Sequence, residues 1–393
     1  MTSSTHTGGA SHGSFRDRLE AYRPDVADLL ARQDAPGFRY GQVYEHLMQH
    51  PLEPFSEATS LPAGLRELLQ PLGVSTLSLS RRREDGEDTT KLLFAAADDM
   101  KFESVLMRYR RRVTLCVSSQ IGCPLGCTFC ATGAMGFRRD LSTGEIVDQV
   151  REAVHLRAGD DARLSNVVFM GMGEPLLNLG AVIPALHLLY DPDGLGLAQR
   201  SLSVSTIGLP TGIRRLAREA PQVNLALSLH APNDELRAEL MPATRRHPLR
   251  EVFTALDDHF ELTHRKLFVE YLLLAGVNDS VRQGHALADL MRGRVVTVNL
   301  TPWNTGCGDY RPSSPETVRA FRDLLLGRGV ETTVRVSRGS GAEAACGQLA
   351  TRTEKPPRPR GEMPRTSGWT NRRPVMPSKS SPGKKMGKGR GGG

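Results

Sequence analysis

The sequence predicts an α/β protein built as a barrel or partial barrel of parallel βα units. Apolar, β-branched runs recur from Val113 onwards: VTLCVSS, NVVFMGMG, LSVSTIG, VNLALSLH, LFVEYLLL, VVTVNLTPW and TTVRVS. Amphipathic stretches such as TGEIVDQVREAVHLR and PETVRAFRDLLLG separate most of them. Alternation of strand and helix is typical of parallel βα units. Six or seven units favour a barrel, which places its chemistry where strands end and loops begin.

The region before the barrel predicts a small accessory domain of mixed α and β structure. FRYGQVYEHLMQ and LPAGLRELL have the pattern of short helices, and STLSLS, KLLFAAA and KFESVLMRY follow as strands. The Asp85-Gly86 pair between the first two strands favours a hairpin turn. We therefore expect an accessory domain over residues 16–111 and a barrel domain over residues 112–350.

Composition limits the class of protein. The chain has 393 residues, of which 39% are hydrophobic and 24% are charged, so it can bury a substantial core. No apolar run approaches the roughly 18 residues that span a bilayer, and residues 1–15 lack the apolar core of a secretion signal and predict a disordered leader. Clustered cysteines suit a reducing compartment, so we expect a cytoplasmic protein that is not bound to a membrane.

The positive charge is concentrated at the carboxyl end. Residues 351–393 hold 12 Lys or Arg and 2 Asp or Glu, whereas the rest of the chain holds 39 basic and 41 acidic residues. Such a Pro-, Gly-, Ser- and Lys-rich segment cannot bury enough apolar surface to fold alone, so a disordered basic tail is predicted. Attraction to nucleic-acid phosphates and a solvated tail without a partner both remain open.

Three cysteines form the most informative motif. Cys123, Cys127 and Cys130 lie in CPLGCTFC, a C-x3-C-x2-C run. Structural zinc sites have four protein ligands, and iron–sulfur clusters are normally held by four thiolates. Three local thiolates leave one position for a substrate or cofactor. A zinc knuckle completed by a distant residue is the alternative.

Several polar residues follow the predicted strands at the places where a barrel opens into a cleft. The GMGEP turn lets the backbone approach a ligand closely and supplies a carboxylate. Polar residues follow the next strands in Ser205-Thr206-Ile207-Gly208, Ser228-Leu229-His230 and Pro302-Trp303-Asn304. A Gly-rich turn with a solvated Glu would explain GMGEP equally well, and a capping serine or a core histidine is the commoner role of the others, but together they look like the walls of one cofactor site.

Two further cysteines stand apart from the motif. Cys116 lies in VTLCVSSQ, and Cys346 lies far downstream in AEAACGQL. A lone buried cysteine is usually inert, but these thiols could also be the missing ligand, a redox pair or nucleophiles. Cys307 lies in a loop without such a motif and is treated as incidental. Judged by sequence alone, Glu103 in KFESVLMRY would be an ordinary carboxylate of a hairpin strand.

The combination of CPLGCTFCATG, GMGEPLLN, SLHAPND, TPWN and AACGQLA resembles the RlmN/Cfr family of radical S-adenosylmethionine (SAM) RNA methyltransferases. The resemblance extends from about Phe38 to Ala350. It implies a radical SAM (β/α) partial barrel with an N-terminal RNA-contacting domain. It also implies methylation of an adenosine ring carbon in large-subunit 23S rRNA, and some RlmN members modify tRNA as well.

The resemblance assigns roles to the residues singled out above. Cys123, Cys127 and Cys130 would hold a 4Fe–4S cluster that binds SAM, and two SAM molecules would be used per turnover. The residues that match the family's SAM-contacting positions, and so are the candidate cofactor-binding residues, are Gly173, Glu174, Ser205, Ser228, Leu229, His230 and Asn304. Cys346 would carry the methyl group and Cys116 would resolve the protein–RNA link. Glu103 would remove the ring proton. A reductase or flavodoxin-type electron donor is implied, and we expect a monomer.

The position that is methylated stays open between two subtypes. Methylation at C2 of adenine is favoured because NLTPWN is more like RlmN. Cfr-like methylation at C8, which gives antibiotic resistance, is the alternative, because Gly341, Ala342 and Glu343 depart from the RlmN pattern. A non-catalytic zinc RNA-binding protein and a radical SAM enzyme acting on a small molecule are further alternatives.

Overall fold

The computed structural model describes residues 13–86, 88–110, 112–157, 163–304, 308–335 and 347–349. The described residues form one compact unit. The leader up to residue 12, the tail from 351, Cys307 and Cys346 lie outside the described residues. None of the described helices is long and apolar enough to cross a membrane.

Four helices precede the sheet. They are α1 Phe15–Tyr22, α2 Pro24–Arg32, α3 Gly37–Gln49 and α4 Ala63–Leu69. The helix α1 begins at a capping box, in which Ser14 and Asp17 satisfy each other's backbone N–H groups. The two helices predicted from the sequence correspond to α3 and α4.

One ten-stranded sheet forms the centre of the described molecule, and its strands are ordered β1-β2-β3-β4-β7-β8-β9-β10-β11-β12. The first strands are β1 Leu77–Asp85, β2 Thr89–Ala96, β3 Lys101–Tyr109 and β4 Arg112–Cys116. The parallel strands that follow are β7 Leu164–Phe169, β8 Leu202–Thr206, β9 Asn224–Ser228, β10 Leu267–Leu273, β11 Val296–Pro302 and β12 Glu331–Val334. A separate antiparallel pair is β5 Gln120–Gly122 with β6 Phe137–Asp140.

Helices connect the parallel strands, as the sequence predicts. They are α6 Thr143–Leu156, α7 Leu179–Tyr190, α8 Pro210–Glu219, α10 Leu249–Thr263, α11 Val281–Met291 and α12 Pro315–Gly327, with the shorter α5 Ala131–Met135 and α9 Asp234–Leu240 in the loops. All seven predicted apolar runs are strands of this sheet, and β4 pairs in parallel with β7. Strands covered on both faces are nearly continuously apolar, which explains why these runs were recognisable.

The antiparallel strands β1–β3 extend the barrel sheet rather than forming a sheet of their own. The strand β3 pairs antiparallel with β4, which is the first strand of the parallel series. The helical region is also tied to the barrel, because Tyr22 donates a hydrogen bond of 2.5 Å to Asp148 of α6. Arg151 of α6 donates to the carbonyl of Leu47 in α3. The division into domains 16–111 and 112–350 therefore stays a prediction.

Candidate active site

A cavity opens at the carboxyl ends of the parallel strands, where a barrel places its chemistry. Its lining includes Cys116 at the end of β4, the GMGEP turn after β7, and residues at the ends of β8 and β9. The candidate residues that line it are Cys116, Cys123, Cys127, Cys130, Gly173, Glu174, Ser205, Ser228 and His230. The fold thus brings together most of the residues that the sequence singles out.

The three-cysteine loop starts after β5 and ends where α5 begins. Gly122 adopts a φ of +74°, and a Cβ there would lie 1.8 Å from the carbonyl oxygen of Gly136. Only glycine fits this close approach. The N–H of Cys123 donates to the same carbonyl at 3.0 Å. The loop is therefore fixed at its first cysteine by the turn that follows α5.

The surroundings of Cys123 and Cys127 disfavour the negatively charged thiolate form of each side chain. Burial, together with repulsion from the neighbouring Cys130 and Glu174, raises the pKa of Cys123 to about 12. Burial and repulsion from Cys130 and Cys123 hold the pKa of Cys127 well above its usual value. Thiolates must form when metal binds. Positively charged iron would relieve both the burial and the mutual repulsion, so the donor set fits a metal cluster.

No group of three or more His, Cys, Asp or Glu side chains in the described part of the chain is arranged around a single metal-ion position. A cluster does not need such convergence, because its thiolates bind different iron atoms. Three soft thiolates are also the ligands that iron–sulfur clusters prefer. The residues present therefore fit a cluster with three protein ligands.

Glu174 is the best-fixed polar group of the cavity. Its Oε1 accepts from the N–H of Leu176 at 3.1 Å, and its Oε2 accepts from the N–H of Ile207 at 2.9 Å. Burial raises the pKa of Glu174 to about 7, although these hydrogen bonds oppose the change. Gly173 before it has a φ of +103°, and a Cβ there would lie 2.6 Å from the Cβ of Gln120.

The ends of β8 and β9 contribute neutral polar groups. The hydroxyl groups of Ser205 and Ser228 lie 3.1 Å apart. His230 accepts a hydrogen bond at its Nδ1 from the N–H of Leu272 at 3.0 Å, and its ring meets Phe129 edge-on. Burial, followed by repulsion from Arg237, lowers the pKa of His230 to about 3. His230 is therefore neutral at physiological pH and adopts a left-handed φ of +58°.

Two of the predicted cofactor-binding residues are not part of the cavity lining. Leu229 is fully buried, and its N–H donates to the carbonyl of Glu270 at 3.0 Å. Asn304 follows β11 and is half-buried. Their proposed contacts with a cofactor stay predictions.

Cys116 lies at the other side of the cavity, and Glu103, which is not part of the cavity lining, lies on the adjacent strand. Cys116 is opposite Val105 of β3, and both residues line the cavity. Glu103 is two residues before Val105, so it lies on the same face of the strand. Its Oε1 is 3.0 Å from the Nζ of Lys91 in β2, and both side chains are buried.

The sequence reasoning missed the residues that support the site. Gln120 accepts from the N–H of Glu174 at 2.8 Å and donates to Asp140 at 2.7 Å. The fully buried Arg237 donates to the carbonyls of Leu229 and Ile207. In the sequence, only the position of Gln120 shortly after β4 indicates that it could lie near the site. The residues around Arg237 in the sequence give no such indication.

The sequence reasoning also missed an ion pair inside the barrel. Arg335 and Glu270 line the cavity and are joined at 3.2 Å. Asn299 donates to the same Glu270 oxygen at 2.9 Å. Burial raises the pKa of Glu270, and Arg335 opposes that change. Glu270 and Asn299 lie on the neighbouring strands β10 and β11 and Arg335 directly follows β12, and each one alone looks like an ordinary polar residue.

Comparisons with known proteins identify this arrangement. The Radical SAM superfamily model matches residues 117–287. A protein of Parafrankia sp. named "Probable dual-specificity RNA methyltransferase RlmN" is 48% identical over 332 residues, which cover 80% of this chain and 86% of that protein. A Thermus thermophilus protein of the same name is 41% identical over 338 residues, which cover 86% of this chain and 95% of that protein. The chain belongs to the RlmN family.

A solved structure of the same superfamily agrees with this membership. The crystal structure of a radical SAM methyltransferase from Sphaerobacter thermophilus matches with a TM-score of 0.81 at 39% identity, over 84% of this chain and 98% of that chain. The predicted radical SAM partial barrel is therefore confirmed. As an RlmN-family enzyme, the chain uses a 4Fe–4S cluster and SAM, and its three-thiol loop fits that cluster.

Proposed function

We propose that this chain methylates an adenosine ring carbon in RNA, with C2 of adenine favoured and large-subunit 23S rRNA as the substrate. One observation carries the proposal: the cavity combines the three-thiol loop and the GMGEP turn with Cys116, a cysteine outside the metal-binding motif. The printed names of the relatives, dual-specificity RNA methyltransferases, support the RNA substrate. Transfer RNA is the second substrate that we propose.

The cofactor side of the cavity has a positioning role in this proposal. Cys123, Cys127 and Cys130 hold the cluster, and the cofactor-binding residues proposed above hold SAM. When bound, the cluster and SAM supply a methyl group and a radical that a polar reaction at an adenine carbon lacks. The buried Glu174 and the neutral His230 accept hydrogen bonds from backbone N–H groups, which would fix their positions around a bound cofactor.

The covalent roles in this proposal fall to Cys346, which lies outside the described residues, and to Glu103 and Cys116. Cys346 carries the methyl group and becomes linked to the RNA base. Glu103, whose Oε1 lies 3.0 Å from the Nζ of Lys91, takes the proton from the base. The thiolate of Cys116 attacks the sulfur of Cys346 and forms a disulfide as the bond from that sulfur to the methyl-derived carbon breaks. The electron pair of the broken bond goes to the carbon, which takes up a proton, and the methylated RNA is released.

Substitution of the two cysteines tests this assignment. We expect Cys346→Ala to abolish methylation and Cys116→Ala to accumulate a covalent protein–RNA adduct, detected as a shifted band that nuclease removes. Cys307→Ala is the matched control and should methylate RNA like the wild type. Free methylated RNA at normal yield from Cys116→Ala would contradict the proposal.

Nucleoside mass spectrometry distinguishes the remaining alternatives. RNA from a deletion strain should lose 2-methyladenosine from rRNA, and the tRNA fraction shows whether tRNA is a second substrate. Loss of 8-methyladenosine would instead identify the Cfr-like activity, and no change in either nucleoside would favour a small-molecule substrate. Iron and sulfide near four per chain after anaerobic reconstitution are expected, whereas stoichiometric zinc would contradict the cluster.

The cellular setting is proposed on chemical grounds. A low-potential electron donor of the reductase or flavodoxin type would reduce the cluster, which suits a reducing cytoplasm. We propose a monomer in which residues 16–111 contact RNA and residues 112–350 carry the chemistry. Size-exclusion chromatography with light scattering measures the molar mass in solution, which should be that of one chain. The mass of a dimer at the concentration used for the activity assay would contradict the proposal.

A further inference from the structure

The edge strand β1 carries three consecutive arginines, and an irregularity in its pairing decides which way they face. The register of β1 against β2 shifts between Leu79 and Arg81. Because side chains alternate along a strand, Arg81 would share the face of Leu79 if the strand were regular. The bulge reverses this relation, and re-aiming of side chains is a usual consequence of bulges.

The strand register places Arg83 in a row of residues that lie directly opposite one another on β1, β2, β3 and β4, and this row ends at the active site. Arg83 is opposite Lys91, Lys91 is opposite Val105, and Val105 is opposite Cys116. Residues directly opposite each other in antiparallel strands share one face of the sheet. Val105 and Cys116 line the cavity, so Arg83 lies on the cavity face, three strand spacings or roughly 14 Å from Cys116.

Arg81 occupies a second row on the same face. Arg81 is opposite Leu93, and Leu93 is opposite Glu103. The distance from Arg81 to the proposed base is two strand spacings, or roughly 10 Å. Both arginines are exposed. One continuous face of the sheet therefore runs from the catalytic groups to a pair of cations at its edge.

The opposite face of the same strands also carries arginines, but it does not lead to the cavity. Arg82 lies there, opposite the buried Leu92, and forms an ion pair with Glu84 at 2.5 Å. Arg108 of β3 is also exposed and pairs with Val113, so it alternates with Met107 of the cavity face. The chain thus offers arginines on both faces of one small sheet, and only one face leads to the cavity.

We propose that Arg81 and Arg83 bind the RNA backbone beside the adenosine that enters the cavity. The inference rests on the proposed function, since it assigns a binding surface for that substrate. RNA fits the surface because its phosphates complement the guanidinium groups, and arginine can bind phosphate through two parallel hydrogen bonds. The distances place both cations within the reach of nucleotides that flank the target base.

The test compares two double variants of equal charge. Arg81→Gln with Arg83→Gln removes two cations from the cavity face, whereas Arg82→Gln with Arg108→Gln removes two from the opposite face. RNA affinity is measured against salt concentration with an RNA hairpin that the wild type methylates. The plot of log affinity against log salt concentration has a negative slope. The cavity-face variant should make this slope shallower by about 1.5, and the control variant should leave it near the wild-type value.

Kinetics separate this proposal from the proposed function. The cavity-face variant should raise KM for RNA and leave kcat near the wild-type value, and RNA-independent SAM cleavage should be unchanged, which shows that the protein is folded. Equal effects of the two double variants, or no effect of either, would overturn the binding surface while wild-type methylation continues. A wild-type protein that methylates none of the RNAs offered would instead overturn the proposed function.

Discussion

The wall of the cavity formed by β7, β8 and β9 differs in how polar groups are fixed from the wall formed by β3 and β4, whose sheet face continues onto β2. On the first wall, Glu174 and His230 accept hydrogen bonds from backbone N–H groups of Leu176, Ile207 and Leu272. On the second wall, Glu103 is fixed by the ammonium group of Lys91. We refer to these as the backbone-fixed wall and the ion-pair wall.

The difference indicates different tasks. Backbone N–H groups cannot leave a carboxylate without unfolding a turn, so the backbone-fixed wall suits a cofactor that is bound in one pose. A salt-bridged carboxylate can accept a proton from a substrate and return it to solvent, so the ion-pair wall suits proton transfer. The cations of β1 extend the second wall and leave the first unaffected.

The ion pair itself is expected to give the largest effect on stability. Lys91→Met keeps the length of the side chain but leaves the Glu103 carboxylate buried without its ammonium partner. Removing one member of a buried ion pair typically costs about 3–5 kcal/mol of the free energy of unfolding. Denaturant unfolding of the purified protein measures this cost.

Two controls define the result for Lys91. Lys266→Met breaks an exposed ion pair with Glu331 and should cost less than about 1 kcal/mol. Lys91→Met with Glu103→Leu should recover most of the stability and still fail to methylate RNA. Equal costs for Lys91→Met and Lys266→Met would show that the ion-pair wall is not held by charge.

The backbone-fixed wall should be most sensitive at Gly173. Gly173→Ala forces a Cβ to within 2.6 Å of the Cβ and 2.9 Å of the N of Gln120, at a φ of +103°. Such strain costs of the order of 1–3 kcal/mol, and SAM affinity should fall about 10- to 100-fold. Gly180→Ala in α7, where a Cβ meets nothing within 4 Å, should bind SAM normally. Equilibrium dialysis of SAM distinguishes the two, and equal affinities would contradict the constraint at Gly173.

The sequence predicts the backbone-fixed wall better than the ion-pair wall. Glycines and a carboxylate within one turn, GMGEP, are readable because their partners lie in the same or the next loop. The pairing of Lys91 with Glu103 depends on the register between β2 and β3, which short antiparallel runs do not specify until the turn forms. The bulge that turns Arg81 and Arg83 towards the cavity is equally invisible in SLSRRRED.

Contacts distant in sequence limit the prediction in the same way. Arg237 reads as an exposed helical arginine in NDELRAEL, yet it is fully buried against carbonyls of the β8 and β9 loops. The seven strands were predictable because burial on both faces leaves a continuous apolar run. The boundary near residue 111 was drawn where the pattern changes, although β3 and β4 pair across it.

A pH dependence should follow from the neutral histidine of the backbone-fixed wall. Burial lowers the pKa of His230 to about 3, whereas the unfolded chain takes up the proton near pH 6.5. The unfolded state therefore binds more protons between these values, and the free energy of unfolding should fall by about 1.4 kcal/mol per pH unit as the pH drops below 6.5.

His230→Asn tests the histidine specifically. Asparagine keeps an acceptor for the N–H of Leu272 and tolerates the left-handed φ of +58°, but it does not titrate. The variant should lose stability less steeply below pH 6.5 than the wild type in denaturant unfolding. An unchanged slope would mean that His230 does not contribute to the acid sensitivity of the protein.

The smallest effect is expected for the hydroxyl pair of the backbone-fixed wall. Ser205→Ala removes one neutral hydrogen bond, to Ser228 at 3.1 Å, and such a bond contributes about 0.5–1.5 kcal/mol. SAM affinity should therefore fall by less than about 10-fold. Ser203→Ala is the matched control, because Ser203 lies two residues earlier in β8 and its Oγ faces Asn224 at 3.4 Å. If Ser205→Ala weakened SAM binding more than Gly173→Ala does, side-chain hydroxyls rather than the backbone would fix the cofactor, and the distinction between the two walls would fail.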